Sequence, residues 1–283
     1  MKEMANSLFN EIRHVYRCLR LRDYKRLAYL ILKDLFYIVR YVKGYKKYRD
    51  LFYNAVTVAH VQGLKILNRR YDSIGKIYID GEYIGVPDFL PRRGDVVVDV
   101  GANIGEYTLI TAKLVGIEGK VIAIEPHPES YSLLRKNIEI NRLSNVIALQ
   151  VALSDKDYQE VKLAEPEIAG VRYPVRASIV NTRNVKRYFL VKALTLDTLI
   201  NKLSLKRIDV LKIDVEGAEI LVLKGAINTL RRLRPKICVE THGSHNKEEV
   251  LSMLIKYNYK LVHKKKRVVN GEIYEYLYLT PQT

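Results

Sequence analysis

Four short clusters of side chains in this sequence carry groups that can do chemistry. The first is Asp99-Val-Gly101-Ala-Asn103-Ile-Gly105-Glu106, an acid and glycine turn that closes an apolar run. Glycines there let the backbone bend tightly and let a ligand approach with no Cβ in the way. The second is Glu125, 24 residues after Gly101, where a carboxylate can accept hydrogen bonds from ribose hydroxyls. The third is Asp214 with Glu216, and the fourth Glu240, Thr241 and His242. A glycine loop followed at this spacing by an acid suits a nucleotide-type cofactor. A dinucleotide would rest its pyrophosphate on the first helix's N-terminus. Here Glu106 occupies that position and Asp99 lies just below, and two carboxylates repel a pyrophosphate in a partly buried site. A cofactor with no phosphate and with ammonium and sulfonium charges fits, which selects S-adenosylmethionine. The plainer reading makes Asp99 a strand-end cap, Glu106 a complement to the helix dipole and Glu125 a surface acid. It requires three coincidences in the right order.

Methyl transfer from a sulfonium is an in-line displacement, so positioning supplies much of the acceleration. A hydroxyl acceptor also needs a base within reach, or a metal that lowers its pKa. Asp214, Glu216, Glu240 and His242 are the catalytic candidates, and Asp214 is counted among the cofactor contacts as well. His242 is a candidate base because the unperturbed imidazole pKa lies near neutrality. Asp214 and Glu240, on neighbouring strand ends, can hold Mg²⁺ through oxygen ligands, but two carboxylates alone do not make a metal site, and no metal ligand set is assigned. Glu219 reads as a helix-start acid. His127, between Pro126 and Pro128, reads as a turn-shaping residue, and His245 and His263 have no supporting partner.

These groups need elements to hold them. An apolar strand over 96–100 leads through the glycine loop into a helical period over 106–115. Strands are expected at 121–124, 146–151, 210–213 and 236–239, with helices from Pro128 to about Asn141, over 218–230 and over 247–256. Thr195 is an N-cap for a helix over 196–201. Residues 156–192 read as a less regular insertion. Asn270-Gly271 joins two last strands, 259–263 and 273–279, as a hairpin, and the basic run 264–267 reads as its solvated tip. Five βα alternations ending in an antiparallel hairpin describe a doubly wound α/β, mixed sheet of about seven strands. Ahead of it, 56–58, 64–66 and 76–79 alternate as short strands.

Taken together, Val97-Val-Asp-Val-Gly-Ala-Asn-Ile-Gly-Glu-Tyr-Thr108, Ala123-Ile-Glu-Pro-His-Pro128, Asn137 to Asn141 and Asp209-Val-Leu-Lys-Ile-Asp-Val-Glu-Gly-Ala-Glu219 closely resemble the FkbM family of methyltransferases. The likeness runs from about residue 80 to residue 242. It implies a Rossmann-like class I methyltransferase fold and, usually, O-methylation of a sugar or other hydroxyl. By position it implies that Asp99 and the Gly101, Asn103 and Gly105 loop meet the methionine moiety, Glu125 the ribose, and Asp155 the adenine edge.

The N-terminal 50 residues fall outside the resemblance. They hold 13 Lys/Arg against 5 Asp/Glu, a surplus of +8 within the total of +17, and they read as a basic helical extension. Their broad apolar face beside basic residues suits either packing on the main domain or an anionic membrane surface met through residues 1–45. Lys33, Asp34 and Arg40 interrupt the most apolar stretch before it could span a bilayer. The expected organisation is therefore a helical extension over 1–50, a β-rich lead-in over 51–92 and a cofactor-binding domain over 93–283. Two widely separated cysteines and no signal-peptide pattern favour a cytoplasmic setting, with peripheral association at a membrane left open. Acceptors of three kinds remain open: a glycan, glycolipid or small molecule; RNA, suggested by the charge and by Lys264-Lys-Lys-Arg267; or none, if the fold is only a membrane scaffold. Asp214-Val-Glu-Gly217 lacks the prolines of base-methylating motifs, which disfavours nucleic acid.

Overall fold

The computed structural model describes residues 56–69, 77, 82–168, 171–180, 185, 187–242, 244–269 and 272–282. The N-terminal helices expected over 1–50, the strand at 76–79 and the Asn270-Gly271 turn lie wholly or largely outside these residues. So does the apolar stretch interrupted by Lys33, Asp34 and Arg40, with its question of membrane crossing. Among the described residues no helix is long and apolar enough to cross a membrane.

Seven strands form the central sheet. In chain order they are β3 (Val96–Val100), β4 (Lys120–Ile124), β5 (Val146–Leu149), β11 (Val210–Ile213), β12 (Lys236–His242), β13 (Tyr259–Val269) and β14 (Glu272–Pro281). Their order across the sheet is β13-β14-β12-β11-β3-β4-β5. β14 runs antiparallel to both of its neighbours, and the other pairings are parallel. The parallel strands are near-continuous apolar runs because both faces are covered. Val98, Val100, Leu211, Ile213, Val239 and Leu277 pack on one side. Val97, Val121, Val210, Cys238, Tyr276 and Tyr278 pack on the other. Cys238 is a buried free thiol, in keeping with its apolar flanks.

The crossovers are α1 (Glu106–Val115), α2 (Pro128–Ile140), α3 (Leu196–Lys202), α4 (Glu219–Lys224) and α5 (Ser244–Lys256). Thr195 caps α3 by accepting the Thr198 amide at 3.0 Å. The expected helix over 218–230 is broken. It pauses at Gly225, resumes as a π turn at Thr229–Leu233, and presses Gly225 so tightly on the Ser154 carbonyl that a Cβ would come within 2.1 Å. The insertion is more regular than its sequence suggests. β6 (Ala152–Leu153), β7 (Tyr158–Glu165) and β10 (Arg187–Leu194) make a side sheet in the order β6-β10-β7, beside a small ribbon of β8 (Glu167–Ile168) and β9 (Val171–Arg172). It is fastened to the main sheet by Glu165, whose fully buried carboxylate meets His127 Nε2 at 2.8 Å and Arg172 Nε at 3.2 Å. Burial alone would raise the Glu165 carboxyl. Hydrogen bonding to His127 and the charges of Arg172, His127 and Arg187 outweigh burial and hold it below its ordinary range.

A lead-in hairpin, β1 (Thr57–Val61) and β2 (Leu64–Asn68), turns at Gln62 and Gly63, both with positive φ, as two-residue hairpins require. Its apolar face (Ala59, Leu64, Ile66) packs on Ile104, Leu109 and Leu133. That cover explains why α1 is buried on both sides. The outer edge of β2 is paired by two asparagines one turn apart, Asn137 in α2 and Asn141 at its C-cap. Asn137 accepts from the Leu67 amide at 2.7 Å and donates to its carbonyl at 2.9 Å. Asn141 does the same for Lys65, at 2.9 and 2.7 Å. The helix thus stands in for a strand. Asn137 also donates to the Ile104 carbonyl inside the glycine loop, at 2.8 Å. Asn137→Ala leaves buried backbone groups unpaired and should cost about 1–3 kcal/mol. Limited proteolysis should then cut within 56–69 before the main sheet; equal resistance to wild type would mean the hairpin is held otherwise.

Candidate active site

The carboxyl ends of β3, β4, β11 and β12 meet at one rim, and the glycine loop forms its centre. Gly101, Asn103 and Gly105 all have positive φ (76°, 49° and 98°), so the loop coils upon itself before α1 begins. The Gly101 and Ala102 amides both donate to the Ile124 carbonyl at 3.0 Å. Asn103 is the hub. Its amide donates to Glu125 Oε2 at 2.8 Å and its Nδ2 to Glu106 Oε1 at 3.1 Å. Its Oδ1 accepts from Arg69 Nη2 at 3.0 Å, and Arg69 reaches on to Ser130 Oγ at 2.9 Å. The other Glu125 oxygen accepts the His127 amide at 2.8 Å. Burial raises the Glu125 carboxyl, while the His127 and Asn103 amides and the Arg69 charge pull the other way.

Asp99 lies one layer lower, fully buried in β3. Its carboxylate accepts from Thr108 Oγ1 at 2.6 Å and pairs with Lys212 Nζ at 3.0 Å. Lys212 also donates to the Gly101 carbonyl at 2.9 Å and stands 3.8 Å from Asp214. Burial works against the ammonium, but Asp99, Asp214 and Glu106 raise its pKa above the usual range. The acid that the sequence places in the cofactor site therefore also fixes a buried cation that braces the loop from beneath.

A second cluster faces the first from β11 and β12. Tyr83, from the segment before β3, donates its hydroxyl towards Glu240 Oε2 at 2.6 Å and Asp214 Oδ2 at 3.0 Å. Its ring stacks edge-on with Tyr107 and Tyr276, under Lys212 Nζ at 5.1 Å from the centroid. Burial first, then Asp214 and Glu240, raise the Tyr83 phenol well above its ordinary pKa, so at neutral pH it is a donor. His242 Nδ1 lies 2.9 Å from Glu219, and its Nε2 lies 3.4 Å from Glu216. Burial would lower the His242 pKa, but these two glutamates hold it well above the ordinary value. Glu219 is a buried anchor as much as a helix-start acid: it accepts the Gly217 amide at 3.0 Å and also bonds Asn246. From the insertion, Ser178 Oγ donates to the Glu216 carbonyl at 2.8 Å and Arg176 to the Tyr274 hydroxyl at 2.9 Å. Tyr274 stands edge-on to His242.

Asn103, Glu106 and Glu125 thus share one network on the loop that Gly101 and Gly105 bend, with Asp99 beneath it, and Asp214, Glu216, Glu240 and His242 gather beside it. Asp155 is bonded by Ser154 at 3.1 Å and Tyr158 at 3.4 Å at the start of the side sheet. His127 caps α2 by accepting the Ser130 amide, in keeping with a turn-shaping role. Sequence reasoning does not find Tyr83, Arg69 and Lys212. Only Lys212 leaves a signal, as a lysine inside an apolar strand.

A doubly wound seven-stranded sheet with its last strand inserted antiparallel, and a glycine loop with acids at its carboxyl rim, defines a Rossmann-like class I methyltransferase fold. The family model for the methyltransferase FkbM domain matches residues 99–261, more than half of the chain, and the chain belongs to that family. Methyltransferase 1 of Beauveria bassiana is 32% identical over 168 residues, covering 53% of this chain and 64% of its own length. Hexuronic acid methyltransferase AglP of Haloferax volcanii is 28% identical over 163 residues, covering 58% and 62%. The chain thus spans less than two thirds of these relatives. A crystal structure of an FkbM methyltransferase from Methylobacillus flagellatus overlays with TM-score 0.44 at 16% identity, covering 73% of this chain and 55% of that one.

Proposed function

We propose that this chain transfers the methyl group of S-adenosylmethionine to a hydroxyl of a sugar, glycan or glycolipid. The observation that carries this reading is the direct contact of the two clusters. The backbone of the glycine loop lies against the Asp214 carbonyl, leaving no room for a Cβ at Gly101, so a donor on the loop would face the acids of β11 and β12. The donor set suits the cofactor. Glu125, fixed by two amides, has lone pairs left for ribose hydroxyls, and Glu106 and Asp214 offer negative charge to a cationic donor. Bound there, S-adenosylmethionine supplies an activated methyl group. The chain's own part is to orient it and to take the acceptor's proton on a carboxylate at the neighbouring strand ends. A relative that acts on hexuronic acid supports a sugar acceptor. The basic N-terminal segment is consistent with an acceptor met at an anionic surface.

Thermal unfolding with the cofactor tests the first half. A ligand at ~100 times its dissociation constant adds roughly 2.7 kcal/mol to the native state. Glu125→Ala should abolish most of that gain; unchanged affinity would remove Glu125 from the site. Asp99→Asn is a poorer probe, because it also strips Lys212 of its partner. Labelled S-adenosylmethionine incubated with glycan, glycolipid and RNA fractions tests the second half. Label in RNA alone would replace the sugar reading, and no cofactor stabilisation at all would favour a scaffold.

A further inference from the structure

We propose that Asp214, Glu240 and His242 bind a divalent cation at the acceptor end of the site, which deepens the methyltransferase reading and rests on it. One ligand atom from each of the three lies within 4.8 Å of the others. Two opposite ligands at Mg²⁺ or Mn²⁺ distances stand ~4.2 Å apart, so small side-chain rotations close the set. The Tyr83 hydroxyl meets both carboxylates, Asp214 at 3.0 Å and Glu240 at 2.6 Å, and so fixes them at one point of the rim. Lys212 Nζ stands 3.8 Å from Asp214 and bonds Asp99 and the Gly101 carbonyl.

The second observation is the orientation of His242. Glu219 holds its Nδ1 at 2.9 Å, and Glu219 is itself fixed by the Gly217 amide and Asn246. A carboxylate behind one ring nitrogen is how metal-ligating histidines are aimed. The other nitrogen, Nε2, is shut off from solvent and makes no hydrogen bond of good geometry, although Glu216 is 3.4 Å away. A mixed carboxylate and imidazole set suits Mn²⁺ and related first-row ions as well as Mg²⁺, and the ion binds by displacing the proton that Glu216 and Glu219 favour on the imidazole.

A cation held here has positions left for an acceptor hydroxyl and a neighbouring oxygen, which favours a vicinal diol or hydroxy-carboxylate sugar. Such coordination lowers the hydroxyl's pKa. In the transfer the acceptor O–H bond breaks and its proton passes to the Glu216 carboxylate. The oxygen's electron pair forms the new O–CH₃ bond as the S–CH₃ bond breaks, with that bond's pair kept by sulfur, so the sulfonium becomes a neutral thioether. Asp214, Glu240 and His242 are then ligands, and Glu216 is the base.

Titration of the full chain with Mn²⁺, followed by the electron paramagnetic resonance of the free ion, tests this without turnover. One tightly bound Mn²⁺ per chain is expected, weakened at least tenfold by Asp214→Asn and by Glu240→Gln. No bound Mn²⁺ up to millimolar ion, or equal binding in wild type and Asp214→Asn, would overturn the site. Should those variants fail to fold, His242→Gln is titrated in the same way, and binding as tight as wild type would overturn the site there too. Glu216→Gln should keep its Mn²⁺ and lose transfer; loss of the ion instead would overturn its role as base. Cofactor-induced thermal stabilisation is read in parallel. Cofactor binding without Mn²⁺ sinks only the cation site, and Mn²⁺ binding without cofactor sinks only the methyltransferase reading.

Discussion

Replacing Lys212 by methionine should lower the unfolding free energy by about 3–5 kcal/mol, the range for breaking a buried ion pair from one side. Lys212 and Asp99 are register partners on adjacent strands, 4% and 0% exposed, with 3.0 Å between their charged atoms. Methionine fills nearly the same volume, so the loss is electrostatic: Asp99 keeps Thr108 but has lost its cation inside the sheet. The same change removes the bond that ties Gly101 to β11, so cofactor affinity should fall with stability. The sign of any pH effect follows from the raised Lys212 pKa. A lysine raised above its unfolded value of about 10.4 stabilises fully below that pH and loses its contribution only as pH climbs through the folded value. The Lys212 contribution should therefore stay constant between about pH 6 and 9. Asp99→Asn with Lys212→Met removes both charges and should recover much of the single-variant loss, giving a large coupling in a double-mutant cycle. Urea denaturation measures all four proteins. A loss under about 1 kcal/mol, the range of exposed pairs, would show that water reaches the pair.

That pair also marks where the sequence stops being legible. The strands of the central sheet announce themselves because burial on both faces makes them continuous apolar runs, and the rim acids are identifiable because ligands of such sheets bind at strand ends. Lys212 and Asp99 interrupt those runs, and neither can be buried alone. Reading them as partners needs the strand order, which no local pattern carries. Tyr83 and Arg69 are hidden for a similar reason. Each reaches the site from an N-terminal segment whose docking depends on distant groups, such as the Asn137 and Asn141 clamp on β2. The side sheet escapes because β7 and β10 pair across a long separation and leave Tyr188 and Leu190 exposed, which blurs their alternation. The basic run 264–267 is not the solvated hairpin tip that its composition suggests. It lies within β13 at the sheet edge, and Arg267 reaches the buried Glu82 at 2.7 Å. The break in the helix after β11 comes from the contact of Gly225 with Ser154, again a tertiary fact.

Gly101→Ala should be among the most disruptive single-methyl changes at the described residues, and Gly94→Ala shows why. Both glycines have positive φ, 76° and 85°, where a Cβ costs an ordinary residue roughly 1–2 kcal/mol. At Gly94 nothing lies within 4 Å of the added carbon, so that cost is the whole expected loss. At Gly101 the carbon would sit 1.7 Å from the Asp214 carbonyl oxygen and 2.8 Å from its carbon. Those are backbone atoms at the end of a central strand, and they cannot rotate aside. Relief requires parting β3 from β11 where the Asp214 amide donates to the Val100 carbonyl at 3.0 Å. That movement also pulls Lys212 from the Gly101 carbonyl and Asp214 from Tyr83. Overpacking adds typically about 1–3 kcal/mol or more to the conformational cost, so Gly101→Ala should fall several kcal/mol below Gly94→Ala. Whatever fraction remains folded should show no stabilisation by S-adenosylmethionine, whereas Gly94→Ala should keep it in full. Equal denaturation midpoints for the two variants would mean that the loop and the strand end are not in contact. The proposed donor and acceptor clusters would then have lost the junction that joins them.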